Sequence, residues 1–364
     1  MPVPRVTILM SVYNAARYLG KAIDSILNQT FGDFEFVIIN DGSTDGSRDI
    51  LDGIRDTRVR LFHTANRGLA AALEHGVRES RAPYLARMDA DDMAVSQRLS
   101  VQVAYLDQHP DVGVVTGDYV AIDADDSPIR TSHASDGPLI ISWKLLWENP
   151  ICHPSVMMRR DVLLSAGVNY DPLCTVEDYD VWTRLLFHTR FAHLGQVLLH
   201  YRLNATGMTG TRDRRQLDAT SRIQQRTLST LLGRTLDPQV GRSVALLSRQ
   251  TVFLPTAADN PLDAAALVGL GREVRQAFER RFEPSSGDQS KIDSDLAARY
   301  LSWGFLLSRV PGRSRDATGV LMREALSLAP HLLFDRRLRR NVVGRCVGPE
   351  TWLRLRSKFG RSER

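Results

Sequence analysis

Residues 84–94, YLARMDADDMA, place three aspartates, Asp89, Asp91 and Asp92, directly behind an apolar run. Carboxylates this close raise one another's pKa unless a cation stands between them. Mg²⁺ and Mn²⁺ prefer oxygen ligands, and proteins commonly hold them with one or two carboxylates together with substrate phosphates. The cluster therefore predicts a Mn²⁺ or Mg²⁺ site that receives a diphosphate. The alternative is a solvated acidic turn, which a motif standing alone would favour.

A second pair of acids, Glu177 and Asp178, lies in the stretch VEDYDVW. Val181, Trp182 and Leu185 follow at helical spacing, which places both acids in the first turn of a helix, where negative charge is favoured. Acids at helix starts are usually caps. A carboxylate within reach of a hydroxyl can instead act as a general base. Both interpretations stay open from these residues alone.

The elements that position these acids alternate between strand and helix. The apolar runs RVTILM, FEFVII, VRLFH, YLARMD and VGVVTG are separated by segments with helical apolar spacing, one of them over 68–80. This alternation predicts an α/β fold with a mostly parallel sheet covered by helices on both faces. Ligands bind beyond the carboxyl ends of such strands. Polar loops follow four of the predicted strands, at 11–14, 40–43, 66–68 and 89–92. Asp89 and Asp91 are two residues apart at a strand end, so strand alternation predicts that both side chains point to the same side.

The second half of the chain has only helical patterns. Apolar residues recur at helical spacing near 213–233, 237–250, 262–282, 293–309, 314–328 and 331–344. The net charge is −7 for residues 1–204 and +12 for the remainder. We therefore predict two domains, 1–211 and 212–364, the second helical and basic.

The basic domain has three possible roles: acceptor recognition, contact with an anionic membrane surface, or completion of the fold and support of an oligomer. Its segments RRLRRNVVGR and WLRLRSKFGR mix arginine with apolar residues, as interfacial helices do. A solvated basic face is the alternative.

Several classes of protein are disfavoured. No stretch reaches the roughly 18 apolar residues of a spanning helix, and the N-terminus lacks a basic leader, which predicts a cytoplasmic protein, with peripheral membrane contact left open. The first strand is not followed by G-x-G-x-x-G, which argues against a dinucleotide-dependent dehydrogenase. No aromatic-basic motif or zinc spacing indicates nucleic-acid binding. A nucleotidyltransferase remains an alternative. Such an enzyme would require a Gly-rich basic loop after the first strand, and this chain has Ser11-Val12-Tyr13-Asn14 there.

Five motifs occur together in order. They are ILMSVYNAARYLGKAIDSILNQTFGDFEFVIINDGSTDGS, NRGLAAALEHGV, YLARMDADD, NPICHPSVMMRRDVL and EDYDVWTRLL. Over roughly residues 5–205 the chain resembles the family 2 glycosyltransferases with a GT-A fold, of the type that builds bacterial cell-surface polysaccharides. The resemblance implies transfer of a sugar from a nucleotide-diphosphate donor to a hydroxyl of a saccharide or lipid-linked glycan. UDP is the commonest nucleotide of that family, while dTDP and GDP stay open. A degenerate protein that only binds nucleotide sugars is the non-enzyme alternative.

The resemblance also assigns roles to individual residues. The donor site would comprise Ser11, Tyr13, Asn14 and Asp41 around the base and ribose, with Asn66 and Gly68 nearby, Arg87 at the diphosphate or as a structural counter-ion, Asp91 as metal ligand, and Asp89 toward the ribose or a metal-bound water. The family's general base maps onto Asp178, with Glu177 supporting it, and His153 lies on the acceptor side. A single displacement assisted by one base inverts the anomeric carbon, so we expect inversion.

Overall fold

The computed structural model describes residues 3–133, 137–203, 214–248, 262–308 and 315–331, and for 315–317 only the backbone. The chain divides into two compact units. The first comprises Met1–Leu145 and Asn149–Gln216, and the second comprises Leu146–Glu148 and Leu217–Arg364. The predicted boundary at residue 211 and the two predicted basic segments after residue 334 lie outside the described residues.

The first unit contains a mixed sheet. Its strands are β1 Val6–Val12, β2 Phe34–Asp41, β3 Val59–Thr64, β4 Tyr84–Asp89, β5 Met93–Ala94, β6 Val112–Ile122, β7 Pro128–Thr131, β8 Met157–Arg159 and β9 Arg190–Arg202. Their order is β3-β2-β1-β4-β8-β6-β9-β5, with β7 beside β6. Strands β1 to β4 pair in parallel, as do β6 and β9, whereas β8 runs antiparallel to β4 and β6.

The helices of this unit follow the strands along the chain. They are α1 Ala16–Leu27, α2 Ser47–Asp52, α3 Leu69–Glu79, α4 Arg98–Gln108, α5 Pro138–Leu145, α6 Arg160–Ser165 and α7 Glu177–Leu185, with a 3₁₀ turn at His153–Ser155. The predicted α/β fold class and its first strands and helices are confirmed. The sheet contains more antiparallel pairing than the sequence indicated, because β5 and β8 are too short for a periodic signal.

Both faces of the neighbouring parallel strands β1 and β2 are buried. Even-numbered side chains of β1, such as Ile8 and Met10, belong to the core that includes Ile23 of α1 and Val103 of α4. Leu9 points to the other face, where its Cδ1 lies so close to Gly76 of α3 that a β-carbon at Gly76 would clash with it at 1.9 Å. The glycine therefore lets α3 pack directly onto the sheet.

The strand register brings the predicted polar loops to one edge. Ser11 pairs with Asp89 in β4, and Asp41 of β2 pairs with Thr64 of β3. Since parallel strands end together, the loops that follow β1, β2, β3 and β4 lie at the same end of the sheet.

The second unit is helical. Its described helices are α8 Arg214–Leu232, α9 Pro238–Leu247, α10 Ala264–Phe282, α11 Ser286–Leu307 and α12 Arg315–Leu328. Trp147 packs edge-on against Trp303 of α11, at 5.7 Å between ring centroids. The buried Arg299 pairs with Glu148 and Asp295. Among the described residues, no helix is both long enough and apolar enough to span a membrane.

Candidate active site

The loops after β1 and β2 are tied together by side chains. Asn14 adopts a left-handed conformation, with φ 50°. Its Oδ1 accepts a hydrogen bond from Thr44 N at 2.8 Å, and its backbone N donates to Ser43 Oγ at 3.1 Å. Ala15 N donates to Ser47 Oγ at 2.9 Å. The structure therefore gives Asn14 a clear role in holding these two loops together.

Asp41 is buried and holds the loop after β3. Its two carboxylate oxygens accept hydrogen bonds from Arg67 N at 2.9 Å and from Gly68 N at 2.8 Å. Gly68 precedes α3 and has φ 89°, a conformation that side chains disfavour. Oδ1 also accepts a long hydrogen bond from Thr64 Oγ1 at 3.4 Å, whereas Oδ2 has a further lone pair. Asp41 therefore organises the loop and retains acceptor capacity for a ligand.

Gly42 permits a close approach between two of these loops. Its φ is 71°, and a β-carbon there would lie 2.7 Å from Asn66 N and 3.2 Å from Asn66 Cβ. No residue larger than glycine fits without moving the backbone. Asn66 itself is exposed.

Two predicted donor-site residues lie at the end of β1. Tyr13 retains 52% of its maximal exposure, whereas Ser11 is partly buried within the strand. Because an aromatic face can stack on a base, the exposed ring of Tyr13 is available for that contact.

A buried arginine lies under the acidic turn. Arg87 is 4% exposed, and its guanidinium forms an ion pair with the partly exposed Asp89. Although burial opposes it, the charge of Asp89 raises the pKa of Arg87. Within the described part of the chain, the Nε of Arg87 has no hydrogen-bond partner. Of the two roles left open for Arg87, the geometry favours the counter-ion of Asp89.

The other two aspartates differ from each other. Strand β4 ends at Asp89, so Asp91 lies in the following turn and the expected strand alternation does not extend to it. Asp91 is partly exposed, and burial together with the charge of Asp89 raises its pKa to about 6. Asp92 is 1% exposed, and its Oδ2 has no hydrogen-bond partner among the residues that the structure describes. Burial raises the pKa of Asp92 well above its usual value.

The second pair of acids begins α7, as predicted from its spacing. Glu177 is buried and Asp178 is partly exposed. Asn149 Nδ2 donates to Asp178 Oδ2 at 2.8 Å, and Tyr179 N donates to Asp178 Oδ1 at 2.7 Å. These two bonds fix the plane of the Asp178 carboxylate.

Both acids of α7 hold protons more tightly than usual. Burial and the neighbouring charge of Asp178 raise the pKa of Glu177 to about 7. Burial also raises the pKa of Asp178, against the opposing effect of the Tyr179 N–H. A carboxylate with a raised pKa is a stronger base, so this environment suits proton abstraction near neutral pH.

His153 is buried in the 3₁₀ turn, where it packs against two aromatic residues. Its Nε2 lies 3.0 Å from Tyr170 Oη, and its ring meets Trp182 edge-on at 5.6 Å. Burial lowers the pKa of His153 well below its usual value, which keeps the ring neutral. The structure therefore shows His153 as a packing residue. Its expected place on the acceptor side stays a prediction.

The two groups of acids share one electrostatic environment. Arg87 contacts Asp89 directly, and its charge also acts on Glu177 and Asp178. Asp89 in turn acts on Glu177. The structure thus brings together the acidic turn and the start of α7, which are about 85 positions apart in the sequence.

The acidic turn has the donor chemistry that a divalent ion requires. Within the described residues, no three or more acidic, histidine or cysteine side chains are placed so that they could hold a metal ion by themselves. Mg²⁺ and Mn²⁺ need only one or two carboxylates when substrate phosphates complete the coordination. Asp91 and Asp89 are partly exposed, and among the described residues Arg87 forms its ion pair with Asp89 alone of the three carboxylates. The fit is therefore to an ion that arrives with a diphosphate.

Two residues of the site were missed by sequence reasoning. Asn149, which orients Asp178, is the first residue of the motif NPICHPSVM, so its position beside a recognised motif was a usable signal. Tyr170 contacts His153 from a loop with no motif or periodicity, and no local signal identifies it.

Sequence comparison identifies relatives of this chain among known glycosyltransferases. Residues 7–165 match the model of glycosyl transferase family 2. The chain is 30% identical over 207 residues to the O-antigen biosynthesis glycosyltransferase WbnJ of Escherichia coli, covering 55% of this chain and 80% of WbnJ. It is 28% identical over 258 residues to an uncharacterized glycosyltransferase of Haemophilus influenzae, covering 67% of this chain and 80% of that protein.

Solved structures share the fold. The crystal structure of S. aureus TarS 1–349 in complex with UDP-GlcNAc superimposes with a TM-score of 0.55 at 14% identity, covering 90% of this chain and 91% of TarS 1–349. The complex of the same protein with UDP gives a TM-score of 0.52. At this identity the likeness supports the fold alone.

Proposed function

Because the chain belongs to glycosyltransferase family 2, we propose that it transfers a sugar from a UDP-sugar to a hydroxyl group of a saccharide or lipid-linked acceptor. The complexes of TarS with UDP and UDP-GlcNAc support UDP as the nucleotide. The O-antigen role in the name of WbnJ supports a glycan acceptor.

One observation carries this proposal. The charge of the buried Arg87 acts both on the acidic turn, through its ion pair with Asp89, and on the two acids of α7. Sugar transfer from a nucleotide diphosphate needs stabilisation of a leaving diphosphate and removal of a proton from the attacking hydroxyl. The acidic turn can bind a cation that stabilises the diphosphate, and the carboxylate of Asp178, whose pKa is raised, can accept the proton.

On the donor side, we assign the base and ribose to the edge formed by Tyr13 and Asp41, with Ser11, Asn66 and Gly68 adjoining it. The exposed ring of Tyr13 can stack on the base, and the spare lone pair of Asp41 Oδ2 can accept from an imide N–H or a ribose hydroxyl. Asp91, with Asp89, would hold Mn²⁺ or Mg²⁺. When bound, such an ion stabilises the charge that grows on the diphosphate.

On the acceptor side, we assign Asp178 as the general base. It takes the proton of the acceptor hydroxyl as the new oxygen–carbon bond forms at the anomeric carbon and the bond from that carbon to the diphosphate oxygen breaks. Asn149 and the Tyr179 N–H hold the carboxylate in place. We assign a supporting role to Glu177, the buried acid next to Asp178. One displacement on one carbon inverts its configuration.

The test is a transfer assay with a panel of UDP-, dTDP- and GDP-sugars, each offered with saccharide and lipid-linked acceptors in Mn²⁺. We expect release of the nucleoside diphosphate with UDP-sugars, and proton NMR of the first-formed linkage to show the opposite anomeric configuration from the donor. Retention of the donor configuration would contradict the single-displacement mechanism. Transfer of a nucleotide instead of a sugar would contradict the proposed function itself.

A further inference from the structure

Arg202, which is far from the acidic turn in the sequence, lies against that turn in the structure. Arg202 is the last residue of β9, and its side chain is 1% exposed. The short strand β5 directly follows the acidic turn and pairs antiparallel with β9, with Met93 opposite His200. Continuing this register by two residues brings Arg202 opposite the acidic turn.

Arg202 binds two consecutive aspartates in different ways. Its backbone N donates to Asp92 Oδ1 at 2.7 Å. Its side-chain Nε donates to the backbone carbonyl oxygen of Asp91 at 2.8 Å. These bonds fix the peptide of Asp91 and the carboxylate of Asp92, while the carboxylate of Asp91 stays partly exposed.

The rest of the guanidinium is held from the opposite side. Nη1 donates to the carbonyl oxygen of Asp123 at 2.6 Å, and Nη2 forms an ion pair with Asp126. The guanidinium lies 4.0 Å from the ring centroid of Tyr18. Lys21 forms a second ion pair with Asp126. Arg202 is therefore anchored to α1 and to the turn after β6.

We propose that Arg202 is the positioning residue of the acidic turn, and that it orients the carboxylate of Asp91 toward the divalent ion bound with the donor diphosphate. This inference rests on the proposed function. Arg202 does not touch the substrate; it acts through the Asp91 backbone. Asp92 is engaged by the backbone N–H of Arg202 and Asp89 by the guanidinium of Arg87, so the partly exposed carboxylate of Asp91 is the one that the turn presents to the ion.

A lysine at position 202 cannot reproduce these hydrogen bonds. The planar guanidinium donates in three directions, to Asp91, Asp123 and Asp126, whereas an ammonium is a single point charge on a flexible stem. Residues that orient the ligands of a metal typically change its affinity 10–100-fold when mutated, so we expect an effect of about that size.

The chain offers a matched control at the other end of the sheet. Arg159 of β8 is also partly buried and donates to the carbonyl oxygens of Val112 and Leu106 at 2.9 and 2.6 Å. It contacts Tyr84 at the start of β4, about 16 Å along the strand from Asp89 at 3.3 Å per residue. Its substitution therefore perturbs a similar set of hydrogen bonds away from the acidic turn.

The experiment compares Arg202→Lys with Arg159→Lys. Binding of Mn²⁺ in the presence of UDP is followed by electron paramagnetic resonance, from the loss of the free-ion signal, and binding of UDP without metal is followed by calorimetry. We expect Arg202→Lys to weaken Mn²⁺ binding at least about tenfold and to leave metal-free UDP binding within about twofold. Arg159→Lys should match the wild type in both measurements.

The outcomes separate this inference from the proposed function. If wild-type protein with UDP does not bind Mn²⁺, the proposed metal site fails and the inference fails with it. If the wild type binds Mn²⁺ and Arg202→Lys binds it equally well, the positioning role is overturned and the metal site stands.

A second variant covers the case in which Arg202→Lys does not fold. Asp126→Asn keeps Arg202 but removes its charged partner, and asparagine tolerates the left-handed φ of 68° at this position. We expect Mn²⁺ binding to weaken several-fold. Unchanged binding in a folded Asp126→Asn protein would overturn the positioning role.

Discussion

Replacing Glu177 with glutamine is expected to stabilise the protein at alkaline pH. Glu177 is 6% exposed, and burial together with the charge of Asp178 raises its pKa to about 7 from an ordinary value of 4.5. An acid with a raised pKa in the folded state destabilises that state once it ionises. The contribution of Glu177 to the free energy of unfolding should therefore be most favourable below pH 4.5, fall between pH 4.5 and 7, and stay low above pH 7. Glutamine removes this dependence.

The size of the effect follows from the two pKa values. At 1.36 kcal/mol per pKa unit, the difference amounts to about 3 kcal/mol as an upper limit. The helix N-terminus favours a negative charge, so glutamine also loses some stabilisation. We expect a net gain of about 1–3 kcal/mol at pH 8.5, and a smaller gain at pH 5. For a unit of about 200 residues, that gain raises the midpoint of thermal unfolding by roughly 2–10 °C.

The assay is calorimetric thermal unfolding of both proteins at pH 5 and pH 8.5. The control is Asp180→Asn, because Asp180 lies in the same helical turn, is equally buried and pairs with Arg184 at 3.3 Å. It should lower the midpoint at both pH values. The reasoning is refuted if Glu177→Gln has the same midpoint as the wild type at pH 8.5, or a lower one, since ionised Glu177 would then be stabilised by its surroundings.

Three further predictions concern the site directly. Asp178→Asn should lower kcat by about 10²–10⁴-fold and leave the calorimetric affinity for UDP unchanged; a variant that keeps most of its turnover excludes Asp178 as the base. Tyr13→Ala should weaken UDP binding by about 3–10-fold, whereas Tyr13→Phe should not; equal losses would indicate a role for the hydroxyl. Gly42→Ala should lower both thermal stability and UDP affinity, because its β-carbon would meet Asn66 N at 2.7 Å; wild-type values for both would show that the loops yield easily.

Local sequence patterns predicted the parts of the fold that depend on local spacing. The strands and helices from β1 to α4, apart from the short β5, follow from alternating apolar runs. The place of Glu177 and Asp178 at the start of α7 follows from the spacing of Val181, Trp182 and Leu185. Polar loops at strand ends were correctly predicted to share one edge, because parallel strands end together.

Contacts between distant segments were beyond the reach of such patterns. Arg202 binds Asp91 across 111 positions, and no spacing rule links a residue at the end of β9 to a turn after β4. The prediction that strand alternation reaches Asp91 was wrong, because β4 ends at Asp89 and the apolar run carries no signal for that end. The role of Arg87 depends on which carboxylate its guanidinium meets, which only the folded arrangement determines.

The measurement that tests the central claim most directly is calorimetric titration of UDP-GlcNAc into wild-type protein and Asp91→Asn, each with and without Mn²⁺. If Asp91 and Asp89 hold an ion that binds the donor diphosphate, Mn²⁺ should tighten binding at least about tenfold in the wild type and have little effect in Asp91→Asn. Equal affinity with and without Mn²⁺ in the wild type would contradict the account.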